Sequence, residues 1–500
     1  MLPLAGFSAA RVGFRNELIN QTEKSRGHII LAVQNDSEGA DAYSRSCMIK
    51  PAIIVGCLMM MVFLAESQSL KDHLLKGDRH YQRKDYQNAL GNYLQALALD
   101  GDDSRTNFKA GISFLYEKNF SQAVVYLSRA YTIDPDVDRD IDYHLGMACQ
   151  QNLQFKQARR HFEALRVKNK NLVPIANQKI QECVVGDSLM SLPSNAQVEP
   201  LPEHINTPFS EFGPLISVDG QTLIFTSDRS AVEFQIKSGT NTEDVYISGR
   251  QDGEWSHPQK ISEHINVKSN GAAMSLSRDG NTIFLYYEEG GGNIYTSSRK
   301  DDQWSKPLPL NRFINHPQYR ESGACLSPDG KLLFFSSNRP GGRGGYDLYV
   351  SELGINGQWG RAANLGSAVN TRKNEESPFM HVDGSTLYFS SNGHPTLGDN
   401  DIFKTTPVNG TWTVPANLGY PINTSGFEGY FVLSDDNKTG YFTSRRGGNT
   451  ASLDIYLAIF ESSDPVGTET KKDTPRFSNE EEVNREGRQI DSRTEPEIIE

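Results

Sequence analysis

A block of about fifty residues recurs five times after residue 200, and a repeat of that period restricts the fold more than any other feature of the chain. Its clearest copy runs from Glu321 to Trp359. Within it, Ser327-Pro328-Asp329-Gly330 is a tight-turn tetrapeptide between the apolar runs Ala324 to Ser327 and Leu332 to Ser337, which predicts a hairpin. A Gly-rich loop, Asn338 to Tyr346, leads into Asp347 to Ser351, and Asn356-Gly357 turns the chain into a short strand holding Trp359. Each copy therefore predicts four antiparallel strands.

Three landmarks keep step through the copies. The Ser-x-Asp-Gly turns, with His381 in the serine position of the fourth copy, place Asp219, Asp279, Asp329, Asp383 and Asp436, the last followed by Asn437. Asp244, Asn293, Asp347, Asp401 and Asp454 each open an apolar strand, and Trp255, Trp304, Trp359 and Trp412 are the only tryptophans in the chain. Small four-stranded sheets at a fixed period are the signature of propeller blades, each burying its faces against two neighbours. The fold class expected is a helical solenoid followed by a five-bladed β-propeller, with a disordered acidic tail.

Residues 1–47 show no sustained apolar period and read as a non-native or disordered extension. Residues 48–67 have the order of a signal peptide: Met48-Ile49-Lys50, an apolar run of fifteen residues from Pro51 to Ala65, and small residues at Ala65 and Ser67 before Gln68. A spanning helix needs ~20 apolar residues, more than this run supplies. Ile54-Val55-Gly56-Cys57 superficially fits a lipid-attachment box, but the apolar stretch continues past Cys57 to Leu64. The expected location is the periplasm or cell envelope, with outer-membrane association as an extension of that reading.

Residues 70–186 change to a helical pattern. Gly77, Tyr86, Ala89, Tyr93 and Ala96 recur 34 residues later as Gly111, Phe120, Ala123, Leu127 and Ala130, and a third copy holds Gly146, Phe155, Ala158, Phe162 and Leu165. This grammar resembles the tetratricopeptide repeat. Leu172 to Val185 reads as a further helix capping the last apolar face. Cys149, Cys183 and Cys325 are an odd number in the mature chain, and equivalent positions on stacked helices lie too far apart for a relaxed disulfide, so buried thiols are expected.

Residues 187–197 read as a linker and 198–460 as the propeller. The fifth copy lacks a Trp-bearing strand, while residues 198–206 echo the segment that ends the first copy, so this early segment is expected to complete the last blade and leave no open edge. Residues 461–500 hold 12 Asp and Glu against 6 Lys and Arg, half of the chain's net charge of -12. That composition favours disorder. The acidic balance also argues against nucleic acid as a partner, because phosphate binding needs a concentrated basic face.

The string from Ser327 to Tyr349 is similar to the WD40-like, or PD40, repeat of TolB-type propellers. A tetratricopeptide segment followed by such a propeller resembles a group of Gram-negative envelope proteins, including a periplasmic component of the type IX secretion machinery. The resemblance implies partner binding. Those proteins continue into an OmpA-like domain that holds peptidoglycan, whereas this sequence ends in the acidic stretch, so peptidoglycan anchoring is not carried over.

A carboxylate recurs eight residues before the turn, at Glu211, Glu321, Glu375 and Glu428, with Gly271 breaking the series. Some five-bladed propellers are glycosidases with carboxylates at the central mouth. A position shared by four blades is nevertheless a scaffold position first, since acid and nucleophile need environments that differ. Arg229, Arg339 and Arg446 follow the second strand of their copies, and a bidentate pair with Asp244, Asp347 and Asp454 would explain why copy two lacks both partners. Surface recognition is the alternative role. The loop Pro340 to Gly345 lacks the ending of a phosphate loop, and no metal-ligand or nucleophile motif appears, so neither cofactor nor metal is expected.

The reading is a non-enzymatic scaffold that binds protein partners through the groove of the helical repeats and a propeller face. The alternative is a carbohydrate-active hydrolase, which would need polar groups converging on one pocket, and copy two, with Tyr286, Tyr287, Glu288 and Glu289, departs most from the repeat and is the place to look for them. If the export signal is right, mass spectrometry of the native protein should find a mature N-terminus near Gln68, and peptides from residues 1–47 would contradict it.

Overall fold

The computed structural model describes residues 67–191, 195–229, 243–266, 271–289, 291–446 and 452–461. The expected extension, the body of the export segment and the acidic tail lie outside them. Seven α-helices come first, at residues 67–82, Tyr86–Leu99, Ser104–Tyr116, Phe120–Ile133, Ile141–Gln151, Phe155–Lys168 and Val173–Met190. Asp85, Asp103 and Asn119 cap three of them, each side chain accepting from the N–H three residues on. The turns inside the hairpins place Lys84, Lys118 and Leu153 at φ of 60°, 58° and 58°.

The repeated glycines act by absence. A Cβ on Gly77 would fall 2.7 Å from the Tyr93 ring, and one on Gly146 equally close to Phe162, so the paired helices approach only because these side chains are missing. The last helix extends five residues past the expected Val185, because Cys183 and Gly186 stay buried and Leu189 and Met190 still pack on the helical core. Cys149, Cys183 and Cys325 are free and buried.

Five antiparallel blade sheets follow, with a further two-stranded sheet beside the fourth. Blade 1 is built on Glu211–Ile216, Thr222–Ser227 and Asp244–Gln251; blade 2 on Gly271–Leu276, Thr282–Tyr287 and Asn293–Lys300; blade 3 on Glu321–Leu326, Leu332–Ser337 and Asp347–Glu352. Blade 4 uses Glu375–Met380, Leu387–Ser391 and Asp401–Thr405, and blade 5 uses Glu428–Leu433, Thr439–Ser444 and Asp454–Phe460. In the turns of blades 1, 2, 3 and 5 the serine hydroxyl donates to the aspartate at 2.5, 2.5, 2.6 and 2.7 Å. The residue after the aspartate is left-handed throughout, which is why Asn437, at φ 60°, can stand where the other copies have glycine.

The tryptophan segments are not the fourth strands. Trp255 and Trp304 sit in two-residue strands that curl back onto the end of the third strand, Trp412 in one that pairs with Pro407–Val408 just beyond it, and Trp359 in an isolated bridge to Leu353. The outer strand comes later, at Gln259–Lys260, Leu308–Pro309, Ala363–Asn364 and Ala416–Asn417. The curl folds each Trp onto the preceding blade: Trp255 meets Tyr441 of blade 5, and Trp412 meets Phe334 of blade 3.

Ala196–Pro200 pairs antiparallel with Asp454–Phe460 and is the fourth strand of blade 5. The ring thus closes with strands from both ends of the domain, beginning two residues earlier than expected. Residues 201–206 form the turn beyond this strand, where the Asn206 amide both accepts from the Ile455 N–H and donates to its carbonyl, at 2.9 Å each. The helical domain rests on the same molecule through Leu397 of blade 4, which is buried in the helical core cluster.

Asn206→Ala strands the Ile455 N–H, at about 1–3 kcal/mol for the unsatisfied group, while the Ile455 carbonyl keeps the Leu201 N–H at 3.0 Å. Its propeller should melt several degrees lower, and deletion of Ala196–Pro200 should lower it further. Unchanged melting temperatures in both variants would count against closure by this segment.

Candidate functional site

Glu211, Glu321, Glu375 and Glu428 each open the innermost strand of a blade, and all are 0% exposed. Antiparallel register sets each beside the last serine of the second strand, so Ser227, Ser337, Ser391 and Ser444 donate to them at 2.6, 2.8, 2.8 and 2.6 Å. The other carboxylate oxygen accepts the N–H of Thr207, His316, Thr371 or Thr424. Burial pushes Glu211, Glu321 and Glu428 above the ordinary glutamate value, against the opposing pull of these donors.

The arginines pair with these glutamates, not with the aspartates expected from the sequence. Arg229 lies 3.1 Å from Glu211, Arg339 3.0 Å from Glu321 and Arg446 3.7 Å from Glu428. Each arginine is two residues past the serine that touches the glutamate, so strand register carries it over the carboxylate. The aspartates have other work: Asp244 binds Lys260 at 2.8 Å, and Asp347 accepts the Arg343 and Gly344 N–H groups. Each guanidinium also donates to a carbonyl in the loop before its innermost strand, that of Ile205, Ile314 or Ile422, and lies over the blade's aromatic pair, as Arg229 does over Phe225 and Tyr246.

The two blades without arginine serve the same carbonyl by other means. In blade 2 the Tyr287 ring fills the space of glutamate and guanidinium, and its hydroxyl donates to Ile265 O at 2.6 Å. A Cβ on Gly271 would fall 2.6 Å from that ring, so the loss of the glutamate and the gain of the tyrosine are one event. In blade 4 His394 Nε2 reaches Val369 O at 2.7 Å. The repeated carboxylates and arginines therefore form a lock that every blade completes.

The asymmetry lies one and two residues further along. Where the lock residue points into a blade, its neighbour points the other way, and this neighbour is Phe212, Ala272, Ser322, Glu376 or Gly429. A central cavity of about 430 Å³ runs from Gly213, Ser322, Ser377 and Tyr430 to the rim formed by the aspartate turns. At the opposite face, where the innermost strands begin, Glu243, Tyr286, Glu288, Arg320, Tyr346 and Glu376 gather. Arg320 stands 3.7 Å from Glu288, and Ser322 donates to Glu376 at 3.2 Å. Burial raises Glu243 and Glu376, and nearby Asp228 and Glu288 raise Glu243 further. Burial, then Glu376 and Glu243, push the Tyr430 phenol well up.

Of the blade-2 residues singled out in the sequence, Tyr286 and Glu288 belong to this mouth, whereas Tyr287 is part of the lock. Glu243 and Glu376 were not legible as site residues. The doublet Glu375-Glu376 was the available signal, since consecutive strand residues face opposite sides. Among the described residues, no group of three or more His, Cys, Asp or Glu is placed to hold a metal ion.

No family model matches the sequence, and neither does any curated protein. Solved structures align with one module or the other. A tetratricopeptide domain of Arabidopsis OM64 aligns with 24% of this chain and 96% of its own, at 20% identity and a TM-score of 0.22. TolB from Acinetobacter baumannii aligns over 51% of this chain and 55% of its own, at 14% identity and a TM-score of 0.30. An α-L-arabinofuranosidase from Lactobacillus brevis aligns over 51% and 92%, at 12% identity and a TM-score of 0.35. The helix hairpins and the strand pairing define the two modules.

Breaking a buried pair from one side costs about 3–5 kcal/mol, so Arg339→Met should destabilise the propeller by that order, and by less in the presence of Glu321→Gln. Additive losses in urea unfolding would contradict the lock. A second test uses Asp401, which accepts from Leu397 N–H and Asn417 and is pushed by burial up to about 7. Its folded form holds the proton more tightly than the unfolded chain, so its contribution favours the native state at low pH. That contribution is lost as pH rises from the ordinary value, ~4, towards 7. Asp401→Asn should remove this decline from the pH dependence of stability.

Proposed function

We propose that the protein is a non-enzymatic interaction scaffold of the bacterial cell envelope, holding protein partners on its helical and propeller modules. The observation that carries the reading is the condition of the shared carboxylates. All four are fully buried, hydrogen-bonded and, in three blades, paired to arginine, so the ring's recurrent acids are committed to structure. Both modules present extended surfaces suited to docking. The export-like segment before Gln68 supports placement in the periplasm or at the outer membrane, and a link to secretion or envelope maintenance is the finer form of this proposal.

One observation favours a second reading, a carbohydrate-active hydrolase. Glu243 and Glu376 lie at the channel mouth in unlike surroundings, each with its carboxyl raised by burial, beside Tyr286 and Tyr430. A carboxyl with a raised affinity for its proton is what general acid catalysis uses. A panel of glycosides and peptides decides between the two. The scaffold reading expects no turnover by the wild type. Reproducible turnover that disappears in Glu376→Gln or Glu243→Gln, with folding intact, would replace it with the hydrolase reading.

A further inference from the structure

The groove of the helical repeats does not face open solvent along its whole length. Its later part meets the propeller face on which the innermost strands begin, and Leu397 joins the two modules there. Beside that contact lies a cleft of about 580 Å³, within the ~300–1,000 Å³ usual for ligand sites. One wall is helical: Tyr143 and Met147 stand one turn apart on a single helix face, with Tyr116 from the preceding hairpin. Tyr116 is 56% exposed and stacks on Tyr86 with centroids 4.3 Å apart, a preformed flat apolar surface.

The opposite wall belongs to blades 4 and 5 and includes Ser425, Gly426, Arg445 and Arg446. The two arginines differ. Arg446 is spent on Glu428 and on the carbonyls of Pro421 and Ile422. Arg445 has its Nε enclosed without a hydrogen-bond partner among the described residues. Across the cleft Lys118, held at a left-handed turn, adds a second cation, and among the described lining residues Asp399 is the one carboxylate. His144 contributes little charge, because burial lowers its pKa. In a chain of net charge -12, this is a cationic site flanked by aromatic and thioether surface.

We infer that this cleft, shared by the helical groove and the propeller, binds an acidic, extended peptide segment of a partner protein. Carboxylates of the segment pair with Arg445 and Lys118, and its apolar side chains lie on Tyr116, Tyr143 and Met147. An arginine in the cleft wall whose side chain has no hydrogen-bond or ion-pair partner among the described residues suits carboxylate recognition. The inference rests on the interaction-scaffold reading and adds to it the place and chemistry of the partner: neither module alone forms the site.

The test measures fluorescence anisotropy of the full chain with a labelled hexapeptide library in which Glu or Asp alternates with Leu, Tyr or Met. A matched library replaces each acid by Gln or Asn. The acidic library should bind at least tenfold more tightly than its amide twin. Arg445→Glu should lose at least tenfold in affinity with an unchanged melting temperature, and Lys118→Glu should lose less. Equal binding of the two libraries, or full affinity in Arg445→Glu, overturns the cleft as an acidic-peptide site. Acidic peptides that bind only after removal of residues 462–500 overturn the partner assignment and make the chain's own tail the occupant. A partner purified from envelope extract that binds wild type and Arg445→Glu alike also overturns the cleft, yet leaves the scaffold reading standing. Failure to bind any purified envelope protein or either library tells against both.

Discussion

Each blade of the propeller depends on an asparagine that belongs to the next one. Asn206, Asn266, Asn315, Asn370 and Asn423 stand in the loops before the five innermost strands, and each amide makes two hydrogen bonds to one residue of the preceding blade's third strand: Ile455, Val245, Ile294, Leu348 and Ile402. A side-chain amide carries the same donor and acceptor as a peptide group. It can therefore continue a sheet where the main chain has already left it. The constraint behind the repetition is that buried backbone groups must be paired: the carbonyls of these residues also accept from the Leu201, Ile261, Leu310, Leu365 and Leu418 N–H groups, whereas their own N–H groups are paired by the asparagine.

The lock of glutamate, serine and arginine does related work one step along the chain. It binds the carbonyl just before each asparagine or its equivalent, so loop, innermost strand and second strand are fixed as one unit. That tyrosine and histidine replace arginine in blades 2 and 4 shows which part of the lock is required. The donor to the carbonyl is kept in every blade, whereas the ion pair is not. A buried pair is a poor source of net stability but a strict positional constraint once formed, and this accounts for a ring that tolerates its loss in two blades.

The same symmetry separates structure from chemistry. Positions that repeat are buried and paired; positions that differ, Glu376, Tyr430, Tyr286 and Glu243, surround the channel. Their environments are unlike because adjacent blades present different residues there. The helical domain breaks the ring's symmetry further by meeting blades 4 and 5, through Leu397 and the cleft beside it, and so gives that sector of the propeller face a second wall.

The fifty-residue period, the turn tetrapeptides and the 34-residue helical grammar were enough to establish the architecture, because each is a local pattern with a local cause: a turn needs its left-handed residue, and a helix hairpin needs its glycine. Closure by residues near 198 was likewise legible from the strand missing in the last copy. What could not be read was partnership across strands. Arg339 lies nearer in sequence to Asp347 than to Glu321, yet register sets it over Glu321. Tyr287 and His394 fill the arginine's role from different positions and with different chemistry, so no alignment of copies would reveal them. The channel mouth draws Glu243, Arg320 and Glu376 from three blades, and the cleft draws Tyr143 and Arg445 from two domains. These groupings arise only when the ring closes and the helices dock, since both bring together residues whose separation along the chain carries no periodic signal.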